Sequence, residues 1–264
     1  MPALGPRHHR VRRLRELIRD PRARRAEQVF VVEGPRVLEA ALDRGAELER
    51  AYVGPGADRA FASLVARLRD LDVPIEELKE GVLERIGDTV TPQPVLGVAS
   101  MTRVGLDDLD AHGLVLVVVA VRDPGNAGTL LRSAEAAGAA GVVFCGNSVD
   151  PHAPKVVRSS GGAVFGIPVV EEDDPVKVLD ALGRQGRRRL AAVARGGEPF
   201  ERVDLTGSVA VVLGNEASGV PADVAAHLDG KVTIPVDPPA ESLNVGMAGT
   251  VLAFEAARRR RATP

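Results

Sequence analysis

The residues best suited to chemistry in this chain lie on short loops, and each loop follows or precedes an apolar run. Gly214-Asn215-Glu216-Ala217-Ser218-Gly219 comes directly after the apolar residues 209–213, Ile234-Pro235-Val236 ends another such stretch, and Glu241-Ser242-Leu243-Asn244 opens a helical pattern. These loops offer small side chains and main-chain groups rather than a cluster of titrating residues. That is a design for binding, and the three loops are expected to converge on one ligand. Pro235 and the pair Pro238 and Pro239 forbid a helix and keep the connection extended, which leaves its backbone groups open to contact. Taken singly, Gly-Asn-Glu after a strand is an ordinary turn and Ser242 an ordinary helix cap. Their joint order and spacing carry the reading.

A further loop, Asp123-Pro124-Gly125-Asn126-Ala127-Gly128-Thr129, stands between a strand and a helix. Asn126 is expected as the N-cap, and glycines beside a helix start expose N–H groups to an anion. The alternative is a tight strand-to-helix turn. On the same helix Arg132 sits among Leu130, Leu131 and Ala134, in a segment otherwise suited to burial. A guanidinium there needs a partner, either Glu135 or a ligand, because an unpaired buried charge is costly. Neither the G-x-G-x-x-G fingerprint of dinucleotide sites nor the G-K-[ST] ending of a triphosphate loop is present. The single cysteine, Cys145, lies in Val142-Val143-Phe144-Cys145 and reads as a buried small hydrophobe rather than a nucleophile. No metal is expected.

The elements that must position these loops alternate along the chain. Residues 29–32, 51–53 and 95–99 read as strands, with helical patterns opening at Pro35 and running through Phe61, Leu64, Val65 and Leu68. After the polar stretch 105–110 the pattern restarts. Residues 114–121 are continuously apolar, the mark of a strand covered on both faces, and 142–145, 190–193, 209–213 and 232–234 repeat the theme. Helical patterns at 129–137, 176–182, 222–228 and 243–260 lie between or after them. Alternation of this kind predicts an α/β fold on a parallel sheet.

The chain has 264 residues, enough for two domains, and its 45% apolar and 27% charged residues are those of a globular protein. No apolar run is long enough to span a bilayer and no signal segment is visible, so a cytoplasmic location is expected. The net charge of −2 is unevenly spread. Residues 1–25 hold nine arginines against Glu16 and Asp20, which gives +7 and leaves −9 for the rest. A basic arm carrying Arg10, Arg12 and Arg13 is therefore expected to meet a polyanion, its alternative being a solvated tail. A second cluster, Arg258 to Arg261, suits either that role or a helix C-terminus.

Asn126, Gly128 and Arg132, the Gly214 loop, and Ile234 with Ser242-Leu243-Asn244 together resemble the three motifs of the SpoU/TrmH family, RNA ribose methyltransferases of the knotted SPOUT class. A fainter resemblance, carried by residues 30–36 and 93–98, links the front half to a ribosomal-protein-like RNA-binding domain. Together with the charge distribution and the polar stretch above, which give a basic arm at 1–25 and a linker at 105–112, the resemblance implies an RNA-binding α/β domain at 26–104 and a SPOUT methyltransferase domain at 113–264 ending in a trefoil knot. It implies S-adenosylmethionine as cofactor, gripped at Leu213, Gly214, Ile234, Val236, Ser242 and Leu243. It places Arg132, Glu216, Asn244 and Asn126 around the reaction, adds Arg36 to the RNA contacts, and implies a homodimer acting on large-subunit ribosomal RNA. Two departures stand out: Pro94 and Gly246 occupy positions where relatives usually carry glycine and serine. The rival readings are a noncatalytic RNA-binding or ribosome-assembly factor on the same fold, and an oxidoreductase or small-molecule enzyme on a parallel sheet.

Overall fold

Residues 9–27, the arginine-rich start of the chain, are helical because their apolar residues fall on one face. In α1 (His9–Arg19) Val11, Leu14, Leu17 and Ile18 recur at helical spacing and are buried. Asp20 ends this helix and caps the next, α2 (Pro21–Glu27), by accepting from the Arg22 N–H at 2.8 Å, with Pro21 at the first helical position. The segment expected as a basic arm is thus part of a folded core. The computed structural model describes residues 2–87 and 92–262. The chain divides into two compact units, Met1–Thr102 with His152–Phe165, and Arg103–Pro151 with Gly166–Pro264.

In the first unit the chain continues through β1 (Val29–Glu33), α3 (Pro35–Asp43), β2 (Leu48–Val53), α4 (Ala57–Ala60), α5 (Ala62–Asp70), β3 (Ile75–Glu77), α6 (Leu83–Ile86) and β4 (Val95–Ser100). The sheet order is β1-β4-β2-β3, with β4 antiparallel to β1 and β2, and β3 parallel to β2. One core joins the apolar face of α1 to Val29, Val31, Tyr52, Leu78, Ile86, Leu96 and Val98. The short strand β3 has no counterpart in the sequence reading, since three residues are too few to show a period.

The second unit runs through β5 (Leu114–Val119), α7 (Pro124–Ala137), β6 (Gly141–Cys145), β7 (Val169–Glu171), α9 (Pro175–Arg184), β8 (Arg188–Ala192), β9 (Glu198–Pro199), β10 (Val209–Leu213), α10 (Ala222–Ala225), β11 (Gly230–Thr233) and α11 (Val245–Ala262). Between β6 and β7 the chain forms α8 (Pro154–Ser160), which belongs to the first unit, where it packs on β1 and Arg158 pairs with Glu33. The seven strands are parallel in the order β7-β6-β5-β10-β8-β11-β9. Every residue of β5 and β10 is buried, as a sheet covered on both faces requires.

The stretch expected as a linker is folded onto this second unit. Leu109 joins its core, and Arg187 donates to the carbonyls of Gly113, at 2.7 Å, and Asp110. The cluster at the chain's end is similarly engaged: Arg258 and Arg259 pair with Glu255, and Arg260 donates to the Ala137 carbonyl at 2.6 Å. No described helix is long and apolar enough to cross a membrane.

Candidate active site

The strand order decides where the second unit can bind a ligand. From β5 the chain winds outward through β6 and β7, then returns to build β8, β10 and β11 on the other side. In open parallel sheets such a reversal leaves a crevice beyond the carboxyl ends of the central strands. The loops singled out in the sequence leave those ends: residues 120–123 follow β5, Gly214 follows β10 and Ile234 follows β11, and Val193 after β8 joins them.

The loops after β8, β10 and β11, with the turn before α11, surround a cavity of about 640 Å³. Its walls are residues 213–220, 192–194, Val232 and Ile234, and the turn Ser242–Val245 with Ala248 and Leu252. Leu213, Gly214, Ile234, Ser242 and Leu243 line this one cavity, together with Glu216 and Asn244. Val236 does not line this space; it lies half-buried two residues past Ile234. Residues 192–194 were not singled out beforehand, although they end a strand of the same sheet, and the rule that locates the crevice would have found them.

The 214–219 loop is held by its own backbone and by Asn215. Asn215 and Gly219 exchange main-chain hydrogen bonds of 3.1 and 2.8 Å. The Asn215 carboxamide oxygen accepts from the N–H groups of Ala217 and Ser218, while its amide donates to the Ala120 carbonyl at 3.0 Å. Ala120 has φ of +57°, a left-handed conformation that costs a non-glycine residue about 1–2 kcal/mol. Asn215 thus ties the loop after β10 to the loop after β5. Gly214 permits the fold-back, since a Cβ there would stand 2.3 Å from the carbonyl carbon of Gly219.

A second tie joins the same loops. Asn126 donates through its side chain to Glu216 Oε1 at 2.7 Å. Asn126 can do this because it is not the cap of α7, as the sequence reading had it. Asp123 caps the helix by accepting from the Asn126 N–H at 2.8 Å, with Pro124 at the first helical position. Asn244 is the cap of α11, accepting from the N–H groups of Gly246 and Met247 at 2.9 and 3.3 Å, so that role does not fall to Ser242.

Arg132 differs from the expectation in another way. Helix α7 buries Ala127, Leu130, Leu131, Ser133 and Ala134, whereas Arg132 points outward, exposed and without a hydrogen bond or ion pair among the described residues. Its charge stays solvated and needs no protein partner, which leaves it free for an anion. Cys145 is inert: burial pushes its thiol up to about 12, and Sγ donates to the Val118 carbonyl at 3.6 Å.

A family profile described as the SpoU rRNA Methylase family matches residues 113–254, more than half of the chain. The chain belongs to the SpoU rRNA methylase family. A second profile, the MRM3-like substrate binding domain, matches residues 8–97 and so takes in α1 and α2. The 23S rRNA guanosine-2'-O-methyltransferase RlmP of Bacillus subtilis is 31% identical over 227 residues, covering 85% of this chain and 87% of that protein. The 23S rRNA guanosine-2'-O-methyltransferase RlmB of Xanthomonas axonopodis is 35% identical over 203 residues, 74% of this chain and 81% of that one. Among solved structures, the SpoU methyltransferase AviRb of Streptomyces viridochromogenes in complex with AdoMet superposes with a TM-score of 0.86 at 26% identity, covering 98% of this chain and 100% of that one. Within the SpoU family frame, the cavity and its two inter-loop ties occupy the matched region.

Proposed function

We propose that this SpoU-family chain transfers a methyl group from S-adenosylmethionine to a ribose 2'-hydroxyl of RNA, with large-subunit ribosomal RNA as substrate. The observation that carries the reading is the convergence of three separated loops, Gly214–Gly219, Ile234 and Ser242–Asn244, on one cavity beyond the carboxyl ends of β8, β10 and β11. The cavity suits the cofactor: its volume is that of a small-molecule site, and Leu213, Val232, Ile234 and Leu252 give it an apolar wall beside polar Asn215, Ser218 and Asn244. Leu213, Gly214, Ile234, Ser242 and Leu243 would hold it, largely through main-chain groups. S-adenosylmethionine supplies an electrophilic methyl group on its sulfonium.

What the chain must then do is align the ribose hydroxyl with that methyl and manage the charge that develops on oxygen. The Asn126–Glu216 hydrogen bond holds Glu216 at the cavity wall, and Asn244, fixed as a helix cap, stands on the opposite loop. Arg132 is a poor base, because a guanidinium stays protonated near neutral pH. Its outward and unpartnered charge suits it to fix an RNA phosphate or stabilise developing negative charge. The stretch from β11 through α11, which packs on α7 and β10, is read as the segment that closes a trefoil knot. Met247 and Phe254, 61% and 44% exposed on α11, are read as the face against a second copy in a homodimer. The domain with β1–β4, into whose core α1 packs, is read as the RNA-binding module, and a ribosomal RNA substrate implies a cytoplasmic location.

Calorimetry with S-adenosylmethionine and with a nicotinamide cofactor tests the binding half, and only the first should bind. Mapping of methylated riboses in 23S rRNA with and without the gene tests the transfer. Arg132→Lys should leave cofactor affinity nearly unchanged while turnover falls by about 10²–10³. Equal loss of both would remove Arg132 from the reaction.

A further inference from the structure

Helices α7 and α11 pack along a seam that is otherwise apolar. Helix α7 buries Leu130, Leu131, Ala134 and Ala137, and α11, which packs on it, buries Gly249, Leu252, Ala253 and Ala256. At Gly249 the approach is so close that a Cβ would stand 2.2 Å from Leu130 Cδ2 and 2.9 Å from Leu213 Cδ1. Into this seam the chain places two hydroxyls, Ser133 Oγ and Thr250 Oγ1, 2.6 Å apart.

The protons can be assigned. Thr250 donates to the Gly246 carbonyl at 2.8 Å, so its oxygen must accept from Ser133. A relay results: the Ser133 hydroxyl donates to the Thr250 hydroxyl, which donates to the carbonyl of Gly246. The N–H of Gly246 is in turn held by Asn244, which lines the cavity, while Ser133 directly follows Arg132. Two sets of hydrogen bonds, joined through the backbone of Gly246, therefore link the residue beside Arg132 to the cap at the cavity wall.

We propose that Ser133 and Thr250 are positioning residues that fix the axial register of α11 on α7. The seam has few fixed points, Leu130 over Gly249, the Arg260 hydrogen bond to the Ala137 carbonyl and the hydroxyl pair, and of these the pair is the one linked through Gly246 to Asn244. The hydroxyl pair, Ser133 buried and Thr250 half-buried, is satisfied in one register only, because a slide leaves the Ser133 hydroxyl unpaired among apolar neighbours. By setting that register the pair holds Asn244 in place relative to Asn126 and Arg132. The catalytic consequence rests on the methyltransfer reading above; the register itself does not.

The test uses the full-length protein with Ser133→Ala, Thr250→Val, their double variant and Thr250→Ser. Three quantities are measured: S-adenosylhomocysteine affinity by calorimetry, kcat and KM for methyl transfer to 23S rRNA from a strain lacking the gene, and amide hydrogen exchange at Gly246 and Met247. Each single hydroxyl removal should lower kcat about tenfold with KM changed less than about twofold, and should speed exchange at both amides about tenfold. The double variant should be no worse than the poorer single one, and Thr250→Ser should restore kcat to within about threefold of the parent. Additive losses, unchanged exchange in the single variants, or failure of Thr250→Ser to restore would each overturn the assignment. A parent protein that neither binds S-adenosylhomocysteine nor methylates would instead overturn the function proposed above, and the exchange measurement alone would then decide the register.

Discussion

In the methyltransferase unit the cavity is lined by loop backbone, small side chains and a few oriented carboxamides, whereas in the amino-terminal unit the prominent residues are arginines. Much of that second charge is compensated within the fold. Glu76, which is buried, is paired with both Arg10 and Arg50. Arg13 meets Glu27 and Glu49 at 2.6 and 2.7 Å, and the Arg13 hydrogen bond holds the Glu49 carboxyl below its ordinary range. Buried Arg24 donates to the Leu17 carbonyl at 2.6 Å. Arg12 and Arg36, by contrast, are exposed and make no hydrogen bond or ion pair among the described residues. Formal charge and charge available to RNA are thus different quantities, and only the second releases counterions.

The largest effects should separate the two units. Gly214→Ala sets a methyl against main chain that cannot move without opening the loop, so cofactor affinity should fall at least about a hundredfold while the amino-terminal core stays intact. Calorimetry beside a thermal scan reads both. Retained affinity would mean the loop is not the binding wall. Leu14→Ala should do the reverse: removal of a buried leucine costs about 2–5 kcal/mol, and the loss should appear as early melting with cofactor affinity retained at low temperature. Deletion of residues 1–25 should destabilise in the same way. If it only lowers salt sensitivity and leaves melting unchanged, the segment is an arm after all.

A finer cut falls within the arginines themselves. Arg12→Gln and Arg36→Gln should each reduce the salt slope of binding to 23S rRNA by about one, with little effect on stability. Arg13→Gln should leave the slope nearly unchanged, because its charge already faces two glutamates. Equal slopes for all three would erase the distinction between compensated and free charge.

The same contrast explains what could be read without coordinates. Residues 114–121 and 209–213 announce buried parallel strands because a sheet covered on both faces demands unbroken apolar runs, and the loops after them follow from where such strands end. Helices α1 and α2 were missed for the opposite reason. Nine arginines among 25 residues hide the spacing of Val11, Leu14, Leu17 and Ile18, which is itself an ordinary amphipathic pattern. Asp123 was passed over as the cap of α7 because Asn126 is as good a capping residue and lies beside glycines; the decision between them belongs to Glu216, 90 residues away. Residues 152–165 gave no sign that they belong with the first unit, since their partners on β1 are equally remote.

The smallest effect concerns Gly246, where the family resemblance leads one to expect serine. A Cβ at this position would lie 3.3 Å from both Cβ and Cγ2 of Thr129 and 3.1 Å from Asn244 Oδ1, a tight but not impossible fit. Thr129 is not free to turn aside, because its hydroxyl donates to the Gly125 carbonyl at 2.9 Å. Against the crowding stands helix propensity, which favours most residues over glycine by a few tenths of a kcal/mol up to about 1 kcal/mol. Gly246→Ser alone should therefore change cofactor affinity by no more than about threefold, with crowding and propensity in opposition. Thr129→Ser removes the obstructing methyl and keeps the hydroxyl, so Gly246→Ser on that background should bind cofactor more tightly than either single variant. A double-mutant cycle with no coupling between the two positions would show that glycine at 246 owes nothing to Thr129.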